Sequence, residues 1–553
     1  MDNPRAGDVT NPVLFYHPDG YQVARKDLKG RHSAGESFLT AFLQQATEPD
    51  VYALCVTKDG VAAFSQTVSS CGRPLTPRPI GRGDVEVLRR QGVLNLPVPG
   101  LDGESETRAF LGEDAYAICG VTHTISSREM LDSVARTAVA PVMPWDALVC
   151  TSAAVHEALS GVLSGVEEHL RARLGAKRFV RPMMPIVPLG VHAARFAHKE
   201  DDRKRWRAKL GLADDVTAVL FFGRLSIHAK ASPFQLAQAA EAASKSSGRK
   251  FALLWCGWFN DDFQRRAFME TAKSMAPSVP FHAIDGRTED ARFSVWAAAD
   301  IFCSLSDNIQ ESFGLTVIEA MAAGLPVVVS NWDGYRAAVK NGENGVMIDS
   351  YLPKASLADA GYRYVSGIDT YDVYIAGVSQ LCFVDLAQVT DWLVRLAKDS
   401  SLRTKLGAAG RKTVEKSFDW SVVLPRYQEV WREQSERLAR ARKKKTPPSG
   451  AMLRHDPART FSGFPSNVLK DRSLLRHGPQ FSQWGELPRR SGIMLNAAIL
   501  TGNANYLALQ KLFSSEKAVS VDSILKSFPE AERVLVLRTL HWAAKVGLLT
   551  VQR

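Results

Sequence analysis

Short, nearly continuous apolar runs alternate along this chain with longer segments whose apolar residues recur at helical spacing. The first run, Pro12–Tyr16, reads as a buried strand, followed by a polar loop to Gly35 and a helix over Ser37–Ala46. The same pairing recurs at Thr217–Phe222 before Phe234–Ser244, at Phe251–Gly257 before Phe263–Met275, and at Asp300–Ser306 before Leu315–Ala323. Leu325–Ser330 closes the series. Strands apolar on both faces, alternating with amphipathic helices, predict parallel sheets wrapped by helices, the doubly wound α/β class.

Two such units are expected. Residues 1–196 form the first and residues 197–435 the second. The charged stretch Lys199–Trp206 marks their separation. Ligands bind at the carboxyl ends of strands in open α/β sheets, so two facing sheets predict a site in the cleft between them. A tyrosine-rich insertion at residues 350–385 interrupts the second unit, and Trp420–Arg440 reads as its long closing helix. Residues 436–450 are a basic linker by composition.

Residues 451–553 form a basic extension with a small, mainly helical module. Ser520 caps a short helix carrying Ile524, Leu525 and Phe528. Pro529 then starts a longer one with Val534, Leu537, Leu540 and Ala544 as its apolar positions, and Gly547 ends it before the strand Leu548–Val551. This order resembles a winged-helix module, a type that often binds nucleic acid. Glu530 and Glu532 beside Arg533, Arg538 and Lys545 make a poor cationic reading head, which favours protein contact or packing.

Length and charge refine the picture. The 553 residues predict three or four folded units, and the net charge of +11 is unevenly spread. Glu436–Arg553 holds twenty basic and eight acidic residues, net +12, which leaves the body at −1. Such asymmetry points to a surface for an anionic membrane face or nucleic acid, or to a solvated linker. The seven cysteines form no CxxC pair and no metal-ligand spacing, as expected of buried thiols in a reducing cytoplasm. Met1–Asp8 lacks the apolar core of a signal peptide, and no run is long enough to span a membrane, which leaves peripheral association as the only membrane role expected.

The chemistry concentrates in Asp307–Ser330. Glu311 falls in a loop after a strand, Ser312, Phe313, Gly314 and Leu315 lead into a helix, and Glu319 follows eight positions after Glu311. Free amides and the positive end of the helix dipole can hold a phosphate there. At the helical rise the two carboxylates lie about 10 to 12 Å apart, close to the span from the sugar to the ribose of a sugar nucleotide. In Phe221–Lys230, a strand ends at Gly223 and delivers Arg224 and Lys230 into a strand-end loop. Two cations there suit a departing diphosphate, on whose bridging oxygen charge grows as the glycosidic bond breaks.

Together these motifs resemble the family 4 (group 1) glycosyltransferases, retaining enzymes of the two-domain GT-B fold. The likeness rests on the Glu311 to Glu319 segment with Phe-Gly-Leu inside it, on Gly223-Arg-Leu followed by Lys230, and on Ala320-Met-Ala-Ala-Gly-Leu-Pro-Val. Pro185–Val191 and Ser417–Trp420 add to it, and it spans about residues 11 to 435. The resemblance implies that Arg224 and Lys230 grip the donor diphosphate, that Glu311 contacts the transferred sugar, and that Glu319 accepts from the ribose hydroxyls. It implies that Gly35 lies in a glycine loop facing the phosphates and that His123, in Gly120–Thr124, contacts the sugar. Ala231 stands where the family often has Gly, and the insertion and the residues after Arg440 lie outside the resemblance.

The function expected is therefore cytoplasmic transfer of a sugar from a UDP- or GDP-linked donor to an acceptor, with retention of configuration and without cofactor or metal. A phosphorylase-like relative is the competing enzyme, although no lysine is marked for pyridoxal phosphate. From another class comes a nucleic-acid- or protein-binding regulator built on the C-terminal module, with the body in a targeted or non-catalytic role.

Overall fold

The computed structural model describes residues 11–21, 30–230, 232–444, 456–490 and 492–552. The readings made at Met1–Asp8, at Ala231 and over the linker beyond Lys444 lie outside these residues. Contacts divide the chain into two units, Met1–Arg454 and His455–Arg553.

Six strands make the first sheet of the large unit: β1 Val13–Tyr16, β2 Asp50–Cys55, β3 Thr76–Ile80, β4 Val93–Asn95, β5 Ala117–Val121 and β6 Ala147–Val149. All pairings are parallel, in the order β3-β2-β1-β4-β5-β6. A second parallel sheet has β7 Val216–Phe222, β8 Lys250–Gly257, β9 Phe281–Asp285, β10 Ile301–Ser304, β11 Val327–Ser330 and β12 Val346–Ile348, in the order β12-β11-β10-β7-β8-β9. Consecutive residues feed opposite cores. Ala218 and Leu220 pack with Trp296 and Phe302 on one face of the second sheet, while Val219 and Phe221 pack with Leu236 and Trp255 on the other. Burial on both faces explains why these strands are continuous apolar runs rather than alternating ones. The expected doubly wound α/β class is the fold observed.

Three local expectations are corrected. The segment before Gly35 is no continuous loop: Pro18–Tyr21 is a helical turn and the next helix spans Gly30–Gln45, so Gly35 sits inside a helix. A Cβ there would stand 1.9 Å from the carbonyl oxygen of Gly20, and it is this close approach that requires glycine. The charged stretch Lys199–Trp206 is no spacer: Glu200–Leu210 is a helix of the second lobe, with Trp206 buried and Arg203 and Arg207 both paired to Asp300.

The third concerns the closing helix, Trp420–Arg442, which packs on the first sheet rather than the second. Trp420, Val423, Leu424, Tyr427, Val430 and Trp431 join the core formed by Tyr16, Phe42 and Cys119. Gln434 donates to the carbonyl oxygens of Ile118 and Trp145 at 2.9 and 3.0 Å. The helix is amphipathic enough to be predicted, but its pattern does not say which sheet it covers.

The chain crosses between lobes at two adjacent places. Val191 N donates to Phe418 O (2.9 Å), and Trp420 N donates to Val191 O (3.1 Å). The sequence-singled motifs Pro185–Val191 and Ser417–Trp420 thus meet at the junction.

In the small unit, β15 Leu474–His477 lies between β16 Val519–Ser520 and β17 Leu549–Val551, after the clasp strands β13 Ser350–Tyr351 and β14 Phe383–Val384 of the insertion. Helices Asn503–Leu512, Val521–Lys526 and Arg533–Lys545 complete it around Leu475, Trp484, Phe513, Ile524 and Leu540. The last helix buries Val536, Thr539, Leu540 and Ala543. Val534, expected on its apolar face, is 58% exposed, because the buried stripe is rotated from the one counted in sequence.

Candidate functional site

Chain order reverses between β7 and β10 in the second sheet and between β1 and β4 in the first. A crevice opens at such a reversal because the connecting helices leave to opposite faces. Arg224 and Lys230 follow β7, and Glu311 follows β10, so the sequence-predicted residues flank this crevice.

Lys230 Nζ donates to Glu311 Oε2 at 2.9 Å. Burial pushes the Glu311 carboxyl up, but the Lys230 charge and the amides of Ser312 and Phe313 outweigh it and hold the group below its ordinary range. Arg224 Nη2 donates to Gln310 Oε1 at 3.0 Å. Burial lowers the pKa of this guanidinium, with Asp372 and Tyr371 opposing the shift. The loop is pinned from within: Asn308, wholly buried, donates to His228 O at 2.6 Å and accepts from Gln310 N at 2.8 Å.

Gly314, at φ +89°, caps the helix Leu315–Ala322, and a Cβ there would lie 2.2 Å from the Tyr335 ring. Both the left-handed backbone and the ring exclude any other residue. The Tyr335 hydroxyl is fixed by Ser304 at 2.8 Å. Phe313 points into the core, so this segment contributes backbone rather than side chain. Glu319, in the helix itself, has its pKa raised to about 8 by burial, partly opposed by Arg292. Arg292 also approaches Glu36 of the first lobe at 3.7 Å, which brings the neighbour of Gly35 across the cleft towards Glu319.

His123 follows β5, and its Nε2 donates to Pro97 O at 2.9 Å, which assigns the proton to that nitrogen. It lines a cavity of about 210 Å³ in the first lobe with Gly35, Phe15, Tyr21, Asn95 and Trp420. Thr124, the next residue, donates to Gln310 O at 3.4 Å, so the His123 and Glu311 loops adjoin across the cleft.

Sequence reasoning missed several residues of this site. Ser152 Oγ donates to Ser312 O at 3.0 Å and lies 3.4 Å from Asp333 Oδ1. Asp333 has φ 43°, a left-handed backbone that is sparsely populated by residues other than glycine. Its carboxyl is pushed up to about 7 by burial and by the charge of Glu311. Asp307, also raised to about 7 by burial, accepts from Gln235 and Ser379. Only Asp333, followed by Gly334 in a turn-type Asp-Gly pair, left a local signal. The others are single polar residues whose roles arise from tertiary contacts.

A crevice of this construction, with two cations and a carboxylate before a helix start, is equipped to hold an anionic ligand. In comparison with known proteins, residues 202–364 match the family model for glycosyl transferases group 1. Among individual relatives, a D-inositol 3-phosphate glycosyltransferase of Rhodococcus jostii is 33% identical over 168 residues, 30% of this chain and 36% of the relative. A phosphatidyl-myo-inositol mannosyltransferase of Mycobacterium leprae is 32% identical over 148 residues, 26% of this chain and 30% of the relative. The chain thus spans about a third of the length of the curated relatives it matches. Anabaena Alr3699/HepE, solved in complex with UDP and glucose, aligns at 14% identity and TM-score 0.49 over 76% of this chain and 98% of its own.

Proposed function

We propose that the protein is a glycosyltransferase that moves a sugar from a UDP- or GDP-linked donor to an acceptor, with retention of configuration and without a metal. The observation that carries this reading is the Lys230–Glu311 pair at the switch point, with Arg224 beside it and the Leu315–Ala322 helix start behind it. The family match over residues 202–364 covers this same constellation.

In the reaction, Arg224, Lys230 and the amides of Phe313, Gly314 and Leu315 stabilise the diphosphate as the glycosidic bond lengthens. Glu311 holds the sugar, Glu319 accepts from the ribose, and His123 meets the sugar from the opposite lobe. The acceptor hydroxyl attacks from the face the diphosphate leaves, and the departing phosphate takes its proton. Closure of the lobes excludes water and so limits hydrolysis of the donor. The His123-lined cavity is the acceptor subsite. The names of the relatives make inositol-containing acceptors the first to screen.

A thermal-shift panel of nucleotide sugars on the full chain tests the reading, because a ligand that binds only the native state raises the apparent Tm. UDP- or GDP-sugars are expected to stabilise the wild type and to lose that effect in Glu311→Ala and Arg224→Ala. Undiminished binding and turnover in both variants would overturn the site assignment.

A further inference from the structure

The insertion is folded and anchored on the site. Antiparallel pairing of β13 with β14 closes it at its base, and helices Ala358–Val365 and Tyr371–Ser379 form its body. Ser379 Oγ donates to Asp307 Oδ1 at 2.9 Å. Val384 N donates to Gln235 Oε1 at 2.9 Å, and Gln235 donates in turn to the other oxygen of Asp307 at 2.8 Å. Its outer end reaches the first lobe, where Arg128 N donates to Tyr364 OH and Arg128 Nη1 to Val365 O, each at 3.1 Å.

Tyr371, in the first turn of the second helix, occupies the junction of these contacts. Its hydroxyl lies 2.8 Å from Ser126 Oγ of the first lobe and 3.4 Å from Gln310 Nε2. An amide nitrogen only donates, so Tyr371 accepts from Gln310, while either hydroxyl can supply the proton of the Tyr371–Ser126 bond. That orientation turns Gln310 Oε1 towards Arg224, which donates to it at 3.0 Å. One hydrogen-bonded chain therefore runs from Arg224 through Gln310 and Tyr371 to Ser126, across both lobes.

We infer that the insertion is a working part of the donor site and that Tyr371 is a positioning residue: through Gln310 it sets the guanidinium of Arg224, and through Ser126 it latches the first lobe over the cleft. The inference rests on the nucleotide-sugar reading above. Packing alone does not require the hydroxyl, because the Tyr371 and Tyr374 rings both pack against Tyr364, at 5.9 and 4.7 Å.

The test is calorimetric titration of the full chain with UDP and GDP, and with uridine and guanosine, which lack the diphosphate. Tyr371→Phe is expected to weaken the nucleoside diphosphate about 3- to 10-fold, the effect of one lost neutral hydrogen bond, and to leave the nucleoside unaffected. Tyr374→Phe is expected to change neither. In an Arg224→Ala background, Tyr371→Phe is expected to cause a smaller loss than in the wild type, because the part of its effect that passes through the arginine is already gone. Should Tyr371→Phe lower the Tm, Gln310→Ala carries the same expectation. Unchanged diphosphate affinity in Tyr371→Phe alongside a loss in Arg224→Ala overturns the inference but spares the donor site, as does an additive loss in the double variant. If the wild type binds neither UDP nor GDP, the nucleotide-sugar reading itself fails and this inference with it.

Discussion

Lys230 Nζ and Glu311 Oε2 stand 2.9 Å apart, joining the loop after β7 to the loop after β10. The lysine is 30% exposed and the carboxylate 15%, so the pair is screened on one side only. In the proposed reaction its two members have separable tasks, one on the diphosphate and one on the sugar. Lys230→Ala is expected to weaken UDP or GDP at least 10-fold by calorimetry. Glu311→Gln is expected to leave that affinity within about 3-fold while turnover falls on the order of 100-fold, the scale of removing one transition-state contact.

Glu319, Asp307 and Asp333 hold their protons to higher pH in the folded chain than when unfolded, with folded values of about 8, 7 and 7. Between the ordinary carboxyl range near 4 and those values, the native state binds protons that the unfolded state has lost. Stability therefore falls as pH rises through this window, by at most about 1.4 kcal/mol per pH unit for each group. Urea titrations at stepped pH are expected to show this slope, and Glu319→Gln and Asp333→Asn each to flatten it.

Arg108 and Asp146 form a fully buried, two-pronged pair behind the first sheet, and Asp146 also accepts from Ile118 N and Met143 N. Arg108→Ala strands that carboxylate, and a loss of about 3 to 5 kcal/mol is expected. Urea unfolding measures it. Arg108→Met is expected to be no milder unless Asp146 is replaced as well.

Gly314→Ala tests the helix start. The left-handed backbone and the Tyr335 ring at 2.2 Å leave no room for a methyl group, so the loop must shift. Nucleoside diphosphate affinity is expected to drop more than 10-fold. A Tyr335→Ala change, which removes the ring but not the backbone strain, is expected to restore only part of it.

Trp484, wholly buried in the small unit's own core, gives a test of independence. Trp484→Ala is expected to lower one transition of a two-step thermal melt by several degrees, consistent with about 3 to 5 kcal/mol for a buried large-to-small change. Nucleoside diphosphate binding is expected to stay at the wild-type value.

Legibility from sequence followed the range of the forces involved. Four strands of the second sheet, β7, β8, β10 and β11, could be read because burial on both faces leaves a continuous apolar run, whereas the edge strands β9 and β12 could not. Arg224, Lys230, Glu311 and Glu319 could be placed because strand ends and a helix start fix their positions locally. Gly35 was found but its setting was not, since the oxygen that forbids a side chain there belongs to Gly20, in a turn with no periodic signal. Ser126, Ser152, Gln310 and Tyr371 carry no local mark. Their partners lie in the other lobe or in the insertion, and one hydroxyl among many acquires its role only when the lobes face each other. The closing helix failed for a related reason: amphipathicity tells that a face will be covered, not by what.

The paired crossings at Val191 and Trp420 have a mechanical consequence. Two chain segments joined by backbone hydrogen bonds, with Gly190 lying flat against the indole of Trp420, act as the adjacent pins of one hinge. Sliding or twisting of the lobes would shear both pins at once, whereas swinging about the line through them strains neither. The polar contacts at Thr124, Ser126, Arg128 and Ser152 join the same lobes at other points, so a swing about this line that opened the cleft would have to break them.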